Sequence, residues 1–355
     1  MDFQISRRNL LFSLVATSVL GWPQKARATL TPIKPFSFAF VTGAHLTNKM
    51  EDSYLLYHES QLFLQEAIKR INEAEVDFTV FGGDQIEGPG DDDENWNLFI
   101  DVVKNLQNPW DFILGDRDIA ATRLVDKMRT FGPDWKGKGI ELDTPYWSRS
   151  PASNVHLIGL DSSTPGSKEG SLSSKQLEWL KSELAVNQSK FTIVFCHHPL
   201  LPPPPFNGGE PWSNYNIVNS ASALEILSSS LYVRLVVSGH VGINKVQKER
   251  NAYHISAPAL VGYPCAYKIF RVDPDKIEME TYEVKYEALV KKAAKALEQS
   301  TLAYYYDRGK PRKFVDLSQG EKLDWDAELP LGGGMTPMPI KKKNDKKKKG
   351  GLRLW

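Results

Sequence analysis

Six polar residues stand where apolar runs stop: His45 after "FSFAFVTGA", Asp84 after "DFTVFGG", Asp116 after "DFILG", Asp161 after "VHLIGL", His197 after "FTIVFC" and His240 after "VRLVVSG". Each run is short, apolar and rich in β-branched and aromatic residues, the pattern of a buried strand. One Asp or His at a strand end is ordinarily a hydrogen-bonded cap. Several of them at one sheet edge form a ligand set, because carboxylate oxygen and imidazole nitrogen suit divalent cations. In open α/β sheets the ligand site lies at that carboxyl edge.

Helical patterns separate these runs. "ESQLFLQEAIKRINEA" spaces Leu62, Leu64, Ala67, Ile68 and Ile71 along one broad face, and "NWNLFIDVVKNL" repeats the pattern. "SSKQLEWLKSELA" opens on Ser173 as an N-cap and groups Leu177, Leu180 and Leu184, and "SASALEILSS" is a shorter example. Strands alternating with helices predict an α/β layered fold. After Val261, "YKIFRVDPDKIEMETYEV" reads as a hairpin turning at Asp273–Asp275 and completing a second sheet, followed by an amphipathic helix, "KYEALVKKAAKALEQ". "LPPPPFNGGEPW", Leu201–Trp212, is too proline-rich for a helix or central strand, and a stiff lip over the site is expected there.

At 355 residues the chain is long enough to bury a sizeable core. The net charge of +1 conceals three segments: residues 1–28 carry +3, residues 335–355 carry +7, and the body between them carries −9. An acidic body argues against nucleic acid as the main partner. Arg7–Arg8, the apolar run after them and the small-x-small "ARA" at 26–28 read as a twin-arginine-type signal peptide over 1–28, so the protein is expected to be exported to the periplasm. Residues 332–355 read as a disordered polybasic tail suited to contact with an anionic surface. Cys196 and Cys265 are the only cysteines, and Cys196, inside an apolar run, is expected to be a buried free thiol.

Taken in order, "GAH" (43–45), "GD" (83–84), "GDRD" (115–118), "HHP" (197–199) and "GHVG" (239–242) resemble the D-x-H, G-D, G-N-H-[DE], H-x-P and G-H-x-H blocks of the calcineurin-like metallophosphoesterases. "LDSS" followed by "GSLSSKQLEWLKSEL" resembles a segment of the branch that contains cyclic-nucleotide phosphodiesterases and purple acid phosphatase-like enzymes. The resemblance implies a four-layer sandwich of two mixed β-sheets flanked by helices over residues 29–285, with 286–331 left as a helical extension.

It also implies two metals bridged by Asp84, but the blocks are incomplete. The first metal would keep His45 and Asp84, while its other Asp is Gly43 and its other His is Gly242. The second keeps Asp84, His197 and His240, with Asp116 in place of an Asn. The implied cofactor is one divalent ion (Mn²⁺, Fe²⁺ or Zn²⁺) on Asp84, Asp116, His197 and His240, with the other site lost. The extra charge of Asp116 should tighten metal binding and lower Lewis acidity toward water.

Arg117 stands where the family has a catalytic His. It cannot give up a proton near neutral pH, but it can clamp phosphate oxygens bidentately. Arg117 and His45 are therefore the catalytic candidates, with the guanidinium expected over the vacated first site. The competing possibilities are that Asp116 pairs with Arg117 and binds nothing, or that Arg117 bridges to Asp84 or Asp118 in a dead centre. His198 is expected to line the groove, and Asp118 and Asp161 to hold loops. The expected function is a slow, single-metal phosphoric ester hydrolase acting on a phosphorylated small molecule. The alternatives are an inactive pseudophosphatase that holds a phosphate ligand or partner, and a purely structural exported protein.

Overall fold

In β1 (Phe36–Val41), Phe38 and Phe40 enter one apolar cluster while Ala39 and Val41 enter another, as the two-residue period of a strand requires. A strand buried on both faces needs a layer on each side, and the rest of the chain supplies them. The computed structural model describes residues 33–48, 51–87, 93–119, 144–332 and 336–337. The signal-like segment 1–28 and most of the Lys-rich tail lie outside the described residues.

β1 runs parallel to β2 (Phe78–Phe81), which runs parallel to β3 (Trp110–Phe112). Among the described residues the second sheet has six strands, in the order β4 (Trp147–Ala152), β5 (Val155–Leu160), β6 (Phe191–Cys196), β7 (Val233–Ser238), β9 (Ala252–Ser256), β8 (Lys245–Glu249). Within it β5, β6, β7 and β9 are parallel, so their carboxyl ends share an edge. The two sheets meet through aromatic rings. Phe38 stacks on Phe78 at 5.2 Å and on Phe270 at 4.7 Å, and Phe195 of the opposite sheet meets it edge-on at 5.7 Å.

Helices α1 (Ser60–Ala74) and α2 (Asp93–Val103) cover the outer face of the first sheet, and α3 (Ser174–Val186) and α4 (Ser220–Ser229) cover that of the second. The result is the four-layer sandwich of two mixed sheets expected from the sequence. The Ser173 hydroxyl accepts from the Gln176 amide and caps α3.

Four details differ from the sequence reading. In α1, Leu62 is exposed and Phe63 takes the core position, since the buried stripe runs Phe63, Leu64, Ala67, Ile68, Ile71. The hairpin β10 (Ala266–Val272) and β11 (Lys276–Glu283) does not complete the second sheet. It adds to the free edge of β1, with Phe36 opposite Val272. The 286–331 extension is not all helical: after α5 (Glu287–Glu298), α6 (Thr301–Tyr306), α7 (Arg312–Gln319) and α8 (Lys322–Trp325), β12 (Ala327–Pro330) pairs with β11. Within the stretch expected to be disordered, β13 (Thr336–Pro337) pairs with β12 and is the seventh strand of the first sheet among the described residues. Both cysteines are buried free thiols. Among the described residues no helix is long and apolar enough to cross a membrane.

His254 on β9 gives the fold a defined acid sensitivity. Burial alone lowers its imidazole from 6.5 to about 4, and its Nδ1 has no hydrogen-bond partner. The unfolded chain therefore takes up a proton near 6.5 that the folded chain refuses until about 4. Stability falls across that window as pH drops, by about 3 kcal/mol. His254→Gln is expected to remove that part of the slope, read as urea midpoints of both proteins at pH 7 and pH 4.5.

Candidate metal centre

The turns that end β1, β2 and β7 hold three non-glycine residues in the left-handed region: His45 at φ 45°, Asp84 at φ 56° and His240 at φ 64°. That conformation costs roughly 1 kcal/mol or more per residue and gathers at functional sites. Asp118 fixes the turn after β2. Its Oδ2 accepts from the amides of Asp84 and Gly115 at 2.9 and 2.8 Å, and its Oδ1 accepts from those of Gln85 and Ile86 at 2.8 and 3.1 Å. Asp118→Asn would set an NH₂ group against two of these donors. A loss of about 2–4 kcal/mol in unfolding free energy is expected, measured by urea denaturation. Asp161 does the same on a smaller scale, accepting from the amide and hydroxyl of Ser163.

Asp84, Asp116, His197 and His240 offer donor atoms that all lie within 4.8 Å of one another. His240 Nδ1 is 3.0 Å from Asp116 Oδ1, and His197 Nε2 is 3.4 Å from that oxygen and 3.4 Å from Asp84 Oδ2. His197 Nδ1–H donates to the Gly82 carbonyl at 2.7 Å, which leaves its Nε2 lone pair aimed into the cluster. That Nε2, Asp116 Oδ1 and His240 Nε2 are buried without a hydrogen-bond partner. His197 Nε2 and Asp116 Oδ1, buried and unpaired, converge with Asp84 Oδ2 and His240 Nδ1, a donor set that fits a divalent cation.

Charge points the same way. Burial opposes ionisation of Asp116, yet the facing His240 and His197 hold its carboxyl well below the usual range. Burial and Asp116 push Asp84 up, and His197 and His45 together more than offset them. Burial would lower His197, but Asp84 and Asp116 raise it well above its ordinary value.

Glu87, which sequence reasoning missed, is a third buried carboxylate. Its Oε2 accepts from His45 Nδ1 at 2.8 Å, and its Oε1 lies 3.3 Å from Arg117 Nη1. Among the described residues, Asp84, Asp116 and Glu87 outnumber the single guanidinium of Arg117, an excess of negative charge that a divalent cation would offset. The same carboxylates raise His45 and His197 above the ordinary imidazole value against the effect of burial.

Arg117 does not bridge to Asp84 or Asp118 through its side chain. Its backbone N–H donates to Asp84 Oδ1 at 3.0 Å, while its guanidinium reaches Glu87 and, at 3.7 Å, Asp116 Oδ2. Asp116 therefore divides its two oxygens between Arg117 and the histidines. His45 Nε2 lies 3.6 Å from Asp84 Oδ2. At Gly43, φ is 62° and an added Cβ would lie 2.7 Å from the Ala259 Cβ, so the space for an aspartate is filled. At Gly242 an added Cβ would meet nothing within 4 Å.

His198 does not line the groove. It is fully buried, with Nδ1 2.8 Å from the Ser162 hydroxyl, and its ring packs behind His240 at 4.1 Å. Burial, then His240 and His197, hold it well below its ordinary pKa. From the proline-rich segment, Phe206 lines the cleft above the cluster, and Trp212 anchors it against Phe314 of α7. A signal for Glu87 exists in the sequence: it is an acid three residues beyond Asp84 at the same strand end, and an acid buried there must find a partner.

The chain is 28% identical over 222 residues to a 3',5'-cyclic adenosine monophosphate phosphodiesterase of Haemophilus influenzae, covering 61% of this chain and 73% of the relative. It is 30% identical over 163 residues to a probable glycerophosphodiester phosphodiesterase of Arcobacter nitrofigilis, covering 45% and 55%. No family model matches. Among solved structures, a dimetal phosphatase from Danio rerio shares the fold with a TM-score of 0.57 at 16% identity, covering 71% of this chain and 96% of that one.

Proposed function

We propose that this chain, a calcineurin-like metallophosphoesterase by sequence relationship and by fold, hydrolyses phosphate esters with a single divalent ion. One observation carries the proposal: two carboxylates and two imidazoles converge, with buried atoms that lack a hydrogen-bond partner. An ion held there would supply Lewis acidity toward a phosphoryl oxygen and toward water.

The chain's own residues supply the rest. Arg117, fixed by Glu87 on one side and its own amide on the other, directs its remaining N–H groups to phosphate oxygens. His45, tied at Nδ1 to Glu87, presents Nε2 on the cleft side, where a proton can be held against a phosphate oxygen. His45 Nε2 lies 3.5 Å from where a Cβ on Gly43 would stand, on the side from which that residue withdraws a ligand. Both relatives are named as phosphodiesterases, so diesters are the substrate class proposed first.

The test is hydrolysis of bis(p-nitrophenyl) phosphate and p-nitrophenyl phosphate by the Mn²⁺-loaded protein, before and after chelation. Metal-dependent turnover, faster on the diester, is the expected result. Binding of inorganic phosphate without turnover on either ester would favour the pseudophosphatase.

On sequence alone we further propose export through residues 1–28 and contact of the Lys-rich tail with an anionic surface. A secreted chain whose amino terminus is not residue 29 would contradict the first. Equal vesicle binding with and without residues 338–355 would contradict the second.

A further inference from the structure

The cleft that opens on Asp84, Asp116, Arg117 and His240 continues away from them along an apolar wall. Tyr54, Tyr215, Tyr263 and Leu302 are each half-buried, packed on one side against an apolar cluster and facing the cleft on the other. Phe206 and Phe314 lie beneath them. Two of these six, Leu302 on α6 and Phe314 on α7, come from the helices that follow the two-sheet body. Their cluster includes Val241, the residue next to His240, so wall and metal centre share a packed unit. Tyr215 closes the gap between them, its ring 5.8 Å from His240 and 5.5 Å from Phe206. Lys168 Nζ sits 5.3 Å from the Tyr215 ring at the rim, a further cation on the phosphate side.

A cleft with charge at one end and flat apolar surface at the other suits a molecule divided in the same way. We propose that the C-terminal helices make this wall a specificity pocket for phosphate esters bearing a ring-sized apolar group, aryl or nucleobase-like, rather than a small polyol. This rests on the phosphate-ester reading above. Tyrosine faces stack on flat rings, and removing one ring's worth of apolar surface from water favours binding by about tenfold or more.

The test needs no turnover. Phenylphosphonate and methylphosphonate carry the same head group and differ by the ring, and their affinities for the Mn²⁺-loaded full chain can be compared by calorimetry. Phenylphosphonate is expected to bind about tenfold tighter or better. Leu302→Gln and Tyr263→Ser, each checked for unchanged melting, should narrow that gap at least about threefold and leave methylphosphonate binding alone. Equal affinities, or a gap both variants leave intact, would overturn the specificity pocket while the phosphate site stands. If neither phosphonate nor inorganic phosphate binds, the phosphate-ester reading falls and the pocket with it. Should one variant fail to fold, the wild-type comparison and the other variant decide.

Discussion

Replacing Asp84 with alanine is expected to abolish divalent-ion binding and lower kcat/KM by about a thousandfold or more. The Asp84 side chain joins three groups at the cluster. Its Oδ2 faces His197 and His45, and its Oδ1 accepts the Arg117 amide that sets the turn after β3. Alanine removes a ligand and frees that turn together. Asp84→Asn separates the two effects, because the amide oxygen can still accept from Arg117 while the charge is gone. Elemental analysis of both variants beside steady-state rates is the check. Full ion content in Asp84→Ala, or an unchanged rate, would contradict a role for Asp84 in holding the ion.

If Arg117 clamps phosphate as proposed, Arg117→Ala should lower kcat/KM about a hundredfold with ion content unchanged. Arg117→Lys should recover little, because an ammonium on that stem cannot make two parallel hydrogen bonds. Glu87→Gln should fall between. It keeps the shape but loses the charge that orients both Arg117 and His45. If Arg117→Ala instead lost the ion, the guanidinium would be supporting Asp116 and not the substrate.

The centre was legible because its members are strand-end residues. An Asp or His closing an apolar run can point only past the carboxyl edge, and the order of the blocks then fixes which runs adjoin. Glu87 escaped notice because it belongs to no block, and its partner His45 is 42 residues away. His198 was misplaced because neighbours in an extended segment face opposite sides, so the His beside a site residue points behind it. The hairpin Ala266–Glu283 was read correctly as a hairpin but given to the wrong sheet, since pairing partners 230 or so residues apart leave no local mark. The wall of the cleft was illegible for a related reason: Leu302 and Phe314 lie in mixed sequence whose apolar positions make sense only once Phe206 and Trp212 are folded against them.

Loading the full chain with Mn²⁺, removing excess ion and measuring both the stoichiometry and the anomalous density in crystals puts the central claim to its most direct test. One ion per chain, within bonding distance of Asp84, Asp116, His197 and His240, is the expected result. Two ions, the second beside His45 and Glu87, would contradict the single-ion centre, and no ion with the four side chains turned apart would contradict the metal centre itself.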